Sequence, residues 1–353
     1  MPSRRFRGGR AVAVAGALAF IGTGLAACGD QPSAPSASQE FKVAIFPGNI
    51  VSIYSYIGVS EGFYKAEGLN VTLVETSAGP QATAALSSGS VDVMLNSPDN
   101  ALSAKQQGFD TIVVAGNLKK PLFQLMVKDK SKFPRADDGY PAVMQDVVGK
   151  KVSTYVLGST MDRLVKLLLQ GADLPTDSAT FVPVGGAGQG ATALEAGQID
   201  VQTDAINAGI VAELSGRGSV LLDCSLVSCG KAVDAAGSMS QAHWTTQKLM
   251  DKNPSAYKAF VKAQEKISAW AADPKNSGAL LAIMEKYLPV PAGVESAKFY
   301  AELQEIMPRY FSVDVSKDAI NASMEAMLET GELKKPVDTS TMVWSEARLI
   351  KAP

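Results

Sequence analysis

The stretch ALSSGSVDV (85–93) has a near copy 108 positions further along the chain, ALEAGQIDV (193–201), and five of the nine positions are identical. In both copies a run with a helical pattern ends at a glycine, Gly89 or Gly197, which suits the position after a helix C-terminus. A short apolar run with the character of a strand follows each glycine. The repeat therefore indicates one structural unit that occurs twice.

The match continues upstream of both copies. FKVAIFPG (41–48) and GKKVSTYVLG (149–158) are typical of strands, and each is followed by a helical run and then by another strand, NVTLVETS (70–77) or SATFVPVGG (178–186). Alternating strands and helices predict a mostly parallel sheet with helices on both faces. We therefore expect an α/β fold with two similar lobes. A ligand cleft is expected between them, where the carboxyl ends of the strands lie.

The size and charge of the chain narrow the classes of function. It has 353 residues, which fits two domains with separate cores better than one. Its formal net charge is −2, and lysine and arginine do not cluster outside the N-terminus. Because binding of nucleic-acid phosphates requires a basic face, we expect no nucleic-acid partner.

Residues 1–27 have the pattern of an export signal. Four arginines between positions 4 and 10 precede an apolar run that is shorter than a membrane-spanning helix requires. The run ends in LAAC (25–28), which resembles the lipobox of bacterial lipoproteins. This resemblance implies cleavage before Cys28 and a lipid on its thiol. The alternative is an ordinary secretory signal with an incidental cysteine, and the sequence leaves the export route, Sec or twin-arginine, open.

The next segment, within residues 28–40, is rich in Ser, Pro and Ala and predicts a flexible tether. The two remaining cysteines, Cys224 and Cys229, favour a disulfide in an exported protein. Two free thiols are the alternative, because spacing alone does not fix the geometry that a disulfide needs.

The chain resembles the solute-binding proteins of ABC importers, and more closely their nitrate, sulfonate and taurine branch, which also includes binders of thiamine-pyrimidine precursors. The resemblance rests on the lipobox, on GVSEGFYKAEGLNVTLVE (58–75), on both copies of the repeat and on GKKVST (149–154). It implies the type II periplasmic-binding-protein fold. It also implies a monomeric receptor without cofactor, held at the outer face of the cell membrane by a lipid on Cys28. The implied partners are a small solute and an ABC permease with a cytoplasmic ATPase.

Two classes of solute follow from the resemblance: a small organic anion, such as a sulfonate or taurine, and a polar heterocycle or aromatic compound. In these proteins the lobes close around the solute. A ligand-sensing subunit of a membrane partner is an alternative that the sequence does not separate from import. An exported dinucleotide-dependent enzyme is a further alternative.

In the resembled family the chain crosses between the lobes twice. We expect LFQLMVKDKS (122–131) to leave the first lobe and SMSQAHWTT (238–246) to return to it. Lobe 1 is then 41–126 with 240–353, and lobe 2 is 127–239. Helical runs after the second crossing are expected to complete lobe 1; they cover Pro254–Ala272, Ser277–Tyr287, Gly293–Met307 and Ser316–Thr330.

Six strand-to-helix loops are expected to face the cleft. Their free backbone N–H groups at helix N-termini suit an anionic or polar ligand, although the same residues could serve only as helix caps. The expected ligand-binding residues are Pro47, Asn49, Tyr54, Ser77, Gly79, Asn96, Ser97, Asp99, Gly158, Ser159, Thr160, Gly185, Gly186, Asp204, Asn207 and Trp244.

Aromatic residues near these loops could form walls for a planar ligand. They are Phe46, Tyr54, Tyr56, Phe123, Tyr155 and Trp244. For Tyr54 and Tyr56 the alternative is packing within a helical layer. Arg163 could pair with a sulfonate or carboxylate, but a solvated surface position is favoured because most arginines are exposed.

Signals of enzyme chemistry are weak. The chain has one histidine, His243, with no identifiable group to orient it for catalysis, so a structural role is favoured. GAGQGA (186–191) matches a dinucleotide fingerprint, but the repeat already accounts for it as the start of a helix at the cleft. No set of ligands for a metal is apparent. We therefore expect a binding protein with no catalytic residue, cofactor or metal.

Overall fold

Two five-stranded sheets form the frame of the computed structural model, which describes residues 38–350. The expected leader (1–27), the expected lipidation site Cys28 and most of the expected tether lie outside these residues. In chain order the strands are β1 (Gln39–Ile45), β2 (Leu69–Glu75), β3 (Val93–Asn96), β4 (Thr111–Leu118), β5 (Phe123–Val127), β6 (Lys151–Thr154), β7 (Thr180–Pro183), β8 (Val201–Ala205), β9 (Ser219–Asp223) and β10 (Gln241–Thr246).

Thirteen α-helices surround the sheets in this part of the chain. They are α1 (Ile53–Ser60), α2 (Phe63–Ala66), α3 (Gly79–Ser87), α4 (Pro98–Gln106), α5 (Thr160–Gly171), α6 (Gln189–Glu195), α7 (Ile206–Leu214), α8 (Lys231–Gly237), α9 (Gln247–Lys252), α10 (Pro254–Ala272), α11 (Ser277–Tyr287), α12 (Ser296–Tyr310) and α13 (Lys317–Glu329). Within residues 38–350, none of the helices combines the length and the apolar character needed to cross a membrane.

The two sheets have the same topology. The first has the order β2-β1-β3-β10-β4 and the second the order β7-β6-β8-β5-β9. In each sheet the fourth strand, β10 or β5, is antiparallel to its neighbours. The other pairings are parallel. The expected α/β fold with two similar, mostly parallel sheets is confirmed, and we call the first sheet with its helices lobe 1 and the second lobe 2.

The first crossing between the sheets lies earlier in the chain than expected. Strand β5 pairs with β8 along its whole length, from Phe123 opposite Ala205 to Val127 opposite Val201. The expected boundary after residue 126 falls inside this strand and is wrong, because these buried apolar residues complete the ladder of the second sheet. The crossing is the short segment 119–122. It lies against the second crossing, 238–240, since the Ser240 hydroxyl donates to the Lys120 carbonyl at 2.6 Å.

The N-terminal boundary also differs by two residues. Strand β1 begins at Gln39, inside the segment expected to be tether, because the Gln39 N–H donates to the Gly68 carbonyl at 2.9 Å. The Asn70 amide also donates to the Glu40 carboxylate at 2.6 Å. We therefore propose that lobe 1 comprises 39–118 and 241–350, and lobe 2 comprises 123–237.

The C-terminal helices cover lobe 1. Helices α10 and α11 begin and end at the expected residues. Helix α10 places Tyr257 and Phe260 against Phe41 of β1, with ring centroids 5.3 and 5.4 Å apart. Helix α12 begins three residues later than expected and runs on to Tyr310. Helix α13 is capped by Ser316, whose hydroxyl accepts from the Ala319 N–H at 3.1 Å.

Candidate functional site

The paired repeat positions Asn96 and Asp204 fix the loops at the carboxyl ends of β3 and β8. Each side chain accepts from the next backbone N–H, that of Ser97 at 3.0 Å and that of Ala205 at 2.8 Å. Asn96 also donates to the carbonyl of Gly79 at 2.9 Å, and Asp204 accepts from the N–H of Gly188 at 3.0 Å. Each residue therefore ties the end of a strand to the start of the preceding helix, α3 or α6.

The loops of the two lobes are in contact across the cleft. The Ser97 and Thr160 hydroxyls are 2.6 Å apart, and the Asn100 amide donates to Thr160 at 3.1 Å. At the rim, the Asn207 amide donates to the carbonyl of Gly48 at 3.3 Å. The lobes are therefore closed, and the polar groups that face the cleft partly satisfy one another.

A glycine allows close approach at the rim. A Cβ placed on Gly186 would lie 3.3 Å from the carbonyl oxygen of Ser77 in the other lobe. A side chain at this position would be in tight contact with that carbonyl, so one of the two loops would have to shift by a few tenths of an ångström.

Between the closed lobes lies a cavity of about 70 Å³, which we call the central cavity. This volume is sufficient for several water molecules or a small planar group. Among the described residues that line it, none is Lys, Arg, Asp or Glu. They are Phe46, Asn49, Val51, Gly79, Asn96, Leu118, Pro121, Leu122, Phe123, Tyr155, Ser159, Thr160, Met161, Leu164, Ala205, Ser240 and Gln241.

A small number of polar residues line the cavity among these apolar ones. The Asn49 amide donates weakly to the Tyr155 hydroxyl at 3.4 Å, across the cleft. Ser159 is the N-cap of α5 and is 2% exposed. The Gln241 side-chain oxygen is buried and has no hydrogen-bond partner within residues 38–350.

Tyr155 and Asp204 form a buried pair beneath the cavity. Tyr155 donates its hydroxyl hydrogen to the Asp204 carboxylate. Burial raises the pKa of Tyr155 well above its ordinary value, and the negative charge of Asp204 adds to this rise. Burial also raises the pKa of Asp204, against the opposing effect of the hydrogen bonds that its carboxylate accepts. The tyrosine therefore stays protonated, and its ring forms one wall of the cavity.

A second cavity of about 60 Å³, the flanking cavity, adjoins the first and shares the wall residues Pro121, Thr160, Leu164 and Ser240. Arg163 lies at this second cavity and is not solvated, contrary to expectation. Its guanidinium forms ion pairs with Asp99 and with Glu332. Burial alone would lower the pKa of Arg163, but the two carboxylates together raise it.

The structure divides the expected ligand-binding residues between the two cavities and the rim. Asn49, Gly79, Asn96, Ser159 and Thr160 line the central cavity. Ser97 and Asp99 line the flanking cavity, which Thr160 also reaches.

The remaining loop residues do not line either cavity. Pro47 and Ser77 are exposed. Gly158 and Gly185 provide the positive φ angles, +75° and +103°, that turn the chain before α5 and α6. Gly186 and Asn207 lie at the rim, and Asp204 lies behind Tyr155.

Two expected ligand residues belong instead to the core of lobe 1, so these expectations are wrong. Tyr54 packs its ring 4.9 Å from that of Phe311 and donates to the Ser268 hydroxyl, because it is on the inner face of α1. Trp244 is fully buried on β10, and its indole N–H donates to the Asn96 carbonyl at 3.1 Å. Tyr56 also packs internally, stacked on Tyr287 at 4.1 Å.

Sequence reasoning missed the floor of the central cavity. Pro121 and Leu122 come from the first crossing and Ser240 from the second, while Leu118 ends β4 and Gln241 begins β10 beside them. The signal was available, because the segments that join two lobes must pass beneath the cleft between them. Val51, Met161 and Ala205 also line it; they lie in loops that were expected to face the cleft (47–52, 158–161 and 204–207) but were not named as ligand-binding residues. Leu164 was not expected, and Phe46, Phe123 and Tyr155 were noted only as nearby aromatics.

The sequence motifs that could indicate catalysis lie at positions where they have a structural role. His243 is fully buried with its ring edge-on to Phe260, and burial lowers its pKa to about 4. GVSEG (58–62) matches the nucleophile motif G-x-S-x-G, but Ser60 ends α1 and does not follow a strand as that motif requires. Gly188 precedes α6 with a φ of +75°, as expected for the opening of a cleft helix.

Residues 38–350 contain no group of three His, Cys, Asp or Glu side chains placed to hold a metal ion. In the same part of the chain, Cys224 and Cys229 are joined in a disulfide that closes the loop after β9.

Known structures share this architecture. A protein from Bordetella bronchiseptica RB50 is 22% identical, with 89% of this chain and 96% of that chain covered and a TM-score of 0.72. The alkanesulfonate-binding protein SsuA from Xanthomonas axonopodis pv. citri, bound to MOPS, is 17% identical, with 88% and 99% covered and a TM-score of 0.69. The periplasmic nitrate-binding protein NrtA from Synechocystis PCC 6803 is 15% identical, with 88% and 85% covered and a TM-score of 0.66. At these identities the likeness shows the fold, which is the periplasmic-binding-protein fold expected from the sequence.

A search among curated proteins finds no match to the chain. A family model described as NMT1/THI5 like matches residues 49–277. The matched range begins at Asn49 of the central cavity, includes both crossings and all of lobe 2, and extends into the helices that complete lobe 1. The chain therefore belongs to the NMT1/THI5-like family.

Proposed function

We propose that this protein is the solute-binding subunit of an ABC importer. It would capture a small solute in the central cavity by closure of the two lobes and deliver it to a permease that is driven by a cytoplasmic ATPase. Support comes from the family and from the shared fold, since SsuA and NrtA are by name sulfonate- and nitrate-binding proteins. The central cavity itself carries the proposal, because it is lined by loops of both lobes and by both crossings.

The lining favours a polar heterocycle or small aromatic compound. Its walls include Phe46, Phe123 and Tyr155, which can pack against a planar ring. The described lining residues offer neutral amides and hydroxyls, which suit a polar ligand without a full charge.

A small organic anion is the second class of solute. The N-terminus of α5 lies at the cavity, with Ser159 as its cap and Thr160 as its first residue. The exposed N–H groups of such a terminus favour negative charge. Arg163 supplies less to an anion, because its charge is already paired with Asp99 and Glu332.

The proposal includes the location and state of the protein. It would be exported, anchored to the outer face of the cell membrane through a lipid on Cys28, monomeric and without catalytic activity. Mass spectrometry of the N-terminal peptide of the membrane-extracted protein tests the anchor. A diacylated Cys28 at the N-terminus is expected, and an unmodified Cys28 or retained leader would contradict it.

A thermal-shift panel tests the binding function. The panel contains thiamine pyrimidine, riboflavin, aromatic carboxylates, taurine, alkyl- and arylsulfonates, nitrate and bicarbonate. A ligand at about 100 times its Kd stabilises the protein by about 2.7 kcal/mol, which corresponds to several degrees in Tm. We expect one class of heterocyclic or aromatic compound to raise Tm. A shift with nitrate alone would contradict the proposed solute class. A protein purified without bound small molecules that no compound shifts would contradict solute binding.

A further inference from the structure

We propose that Arg163 is a positioning residue that holds the two lobes closed without touching the solute. The effect that we predict on the affinity for solute rests on the proposed function. The closure itself can be measured in the ligand-free protein, so the two proposals can fail separately.

Arg163 joins three elements from both lobes. It lies on α5 of lobe 2, and both of its ion-pair partners lie in lobe 1: Asp99 in the first turn of α4 and Glu332 just after α13. A further guanidinium N–H donates to the Ser103 hydroxyl on α4 at 3.3 Å. The guanidinium therefore makes every one of these bonds across the lobe interface.

Arg163 is on the helix whose first turn lines the central cavity, so the bonds that it makes affect the wall of that cavity. Arg163, Asp99 and Glu332 line the flanking cavity, and none of them lines the central cavity. Thr160 and Leu164, within four residues of Arg163 on the same helix, form part of the wall that the two cavities share. Fixing Arg163 therefore fixes the end of α5 that faces the solute.

The charge balance predicts the effect of removing the arginine. Arg163 is 9% exposed, and its positive charge separates two carboxylates of lobe 1. Without it, Asp99 and Glu332, whose side chains are only 14% and 24% exposed, would be held partly buried by the closed lobes with no counter-charge from the arginine. Leaving a buried charge unpaired is costly, whereas opening the lobes returns both carboxylates to water. Loss of Arg163 should thus shift the equilibrium towards the open form.

The experiment measures the distance between the lobes by pulsed electron spin resonance in the absence of solute. Spin labels on cysteines replacing Glu61 and Asp177, which are exposed and lie in different lobes, report closure. Arg163→Met should give a longer and broader distance distribution than the unsubstituted, labelled protein. Arg163→Lys should be intermediate, because lysine keeps the charge but not the planar fork of donors.

A matched control breaks an ion pair inside one lobe. Arg135 pairs with Asp146 at 2.8 Å within lobe 2, so Arg135→Met should leave the distance unchanged. Replacing all three charged groups, with Asp99→Asn, Arg163→Met and Glu332→Gln together, should restore much of the closed population, because no unpaired charge remains. For a solute that shifts the wild type, Arg163→Met should raise the apparent Kd about tenfold or more, since only the closed fraction binds tightly.

Two results would overturn the proposal. The first is an Arg163→Met distance distribution that matches that of the wild type. The second is an equal opening in Arg135→Met, which would mean that the lobes respond to any lost ion pair. Circular dichroism of each variant confirms that the fold is retained in the comparison.

Discussion

Asp92 and Asp200 make the same hydrogen bond in the two lobes. The Asp92 carboxylate accepts from the backbone N–H of Lys42 at 2.7 Å, and the Asp200 carboxylate accepts from that of Lys151 at 2.8 Å. The backbone N–H of each aspartate donates in return to the same lysine's carbonyl, at 2.9 and 2.8 Å. The repeat therefore preserves a structural link from the middle of β1 to the approach to β3, and from the start of β6 to the approach to β8.

This link predicts a separation of stability from binding along the repeat. Asp92→Ala or Asp200→Ala should lower the free energy of unfolding by about 1–2 kcal/mol, because a backbone N–H loses a charged acceptor. Affinity for solute should change little, since both residues are remote from the central cavity. Asn96→Ala should weaken binding more, because it frees the loops at Gly79 and Ser97. The same holds for Asp204→Ala, which frees Tyr155 and Gly188.

Urea unfolding and calorimetric titration of all four variants make the comparison. Asp138→Ala, at an exposed position in lobe 2, is the control for loss of a surface carboxylate. A variant at Asn96 that loses stability but keeps its full affinity would show that the loop at β3 does not shape the site.

The single histidine predicts a pH dependence of stability. Burial lowers the pKa of His243 to about 4 from an ordinary value of 6.5. Between these pH values the unfolded chain binds a proton that the folded protein does not, so stability falls as the pH falls. The free energy of unfolding has its full value, as far as His243 is concerned, above pH 6.5. Between pH 6.5 and pH 4 it decreases by on the order of 3 kcal/mol because of this residue.

Nuclear magnetic resonance can follow this histidine without assignment, because the chain contains one. Its ring signal in the folded protein should titrate near pH 4. A titration near pH 6.5 would mean that the ring is in contact with water. Replacing the residue in His243→Asn should remove this part of the slope of stability against pH, while the slope from carboxylates remains.

The Cys224–Cys229 disulfide predicts a modest contribution to stability. In the chain-entropy description, a bridge that closes so short a loop lowers the entropy of the unfolded chain and thereby raises the free energy of unfolding by about 2 kcal/mol. The double variant Cys224→Ala with Cys229→Ala should lose about this much in urea unfolding. Peptide mapping after alkylation checks the bridge: the two cysteines should be labelled only after reduction, and equal labelling without reductant would contradict it.

The local pattern was sufficient to predict the sheets but not the side chains that meet across the cleft. The repeat predicted both lobes, because the patterns that indicate strands and helices depend on residues that are close together in the sequence. Arg163 was misjudged because one partner, Glu332, lies 169 positions away. Tyr54 and Trp244 were misplaced because nearness in sequence to a cleft loop does not reveal which face of a helix or sheet is buried. Gln241 was missed because its position depends on the packing of two distant crossings.

The most direct test of solute binding in the central cavity is a calorimetric titration of wild type and Gln241→Leu. The titrant is the compound that gives the largest thermal shift. Because the Gln241 oxygen has no protein partner within the described chain, the substitution removes no internal hydrogen bond from that atom, and Tm should stay the same. We predict one solute per chain and about a tenfold weaker Kd in Gln241→Leu, which corresponds to about 1.4 kcal/mol. The control Gln247→Leu, on an exposed turn of α9, should bind as the wild type does. Equal affinity in wild type and Gln241→Leu would contradict binding at this cavity.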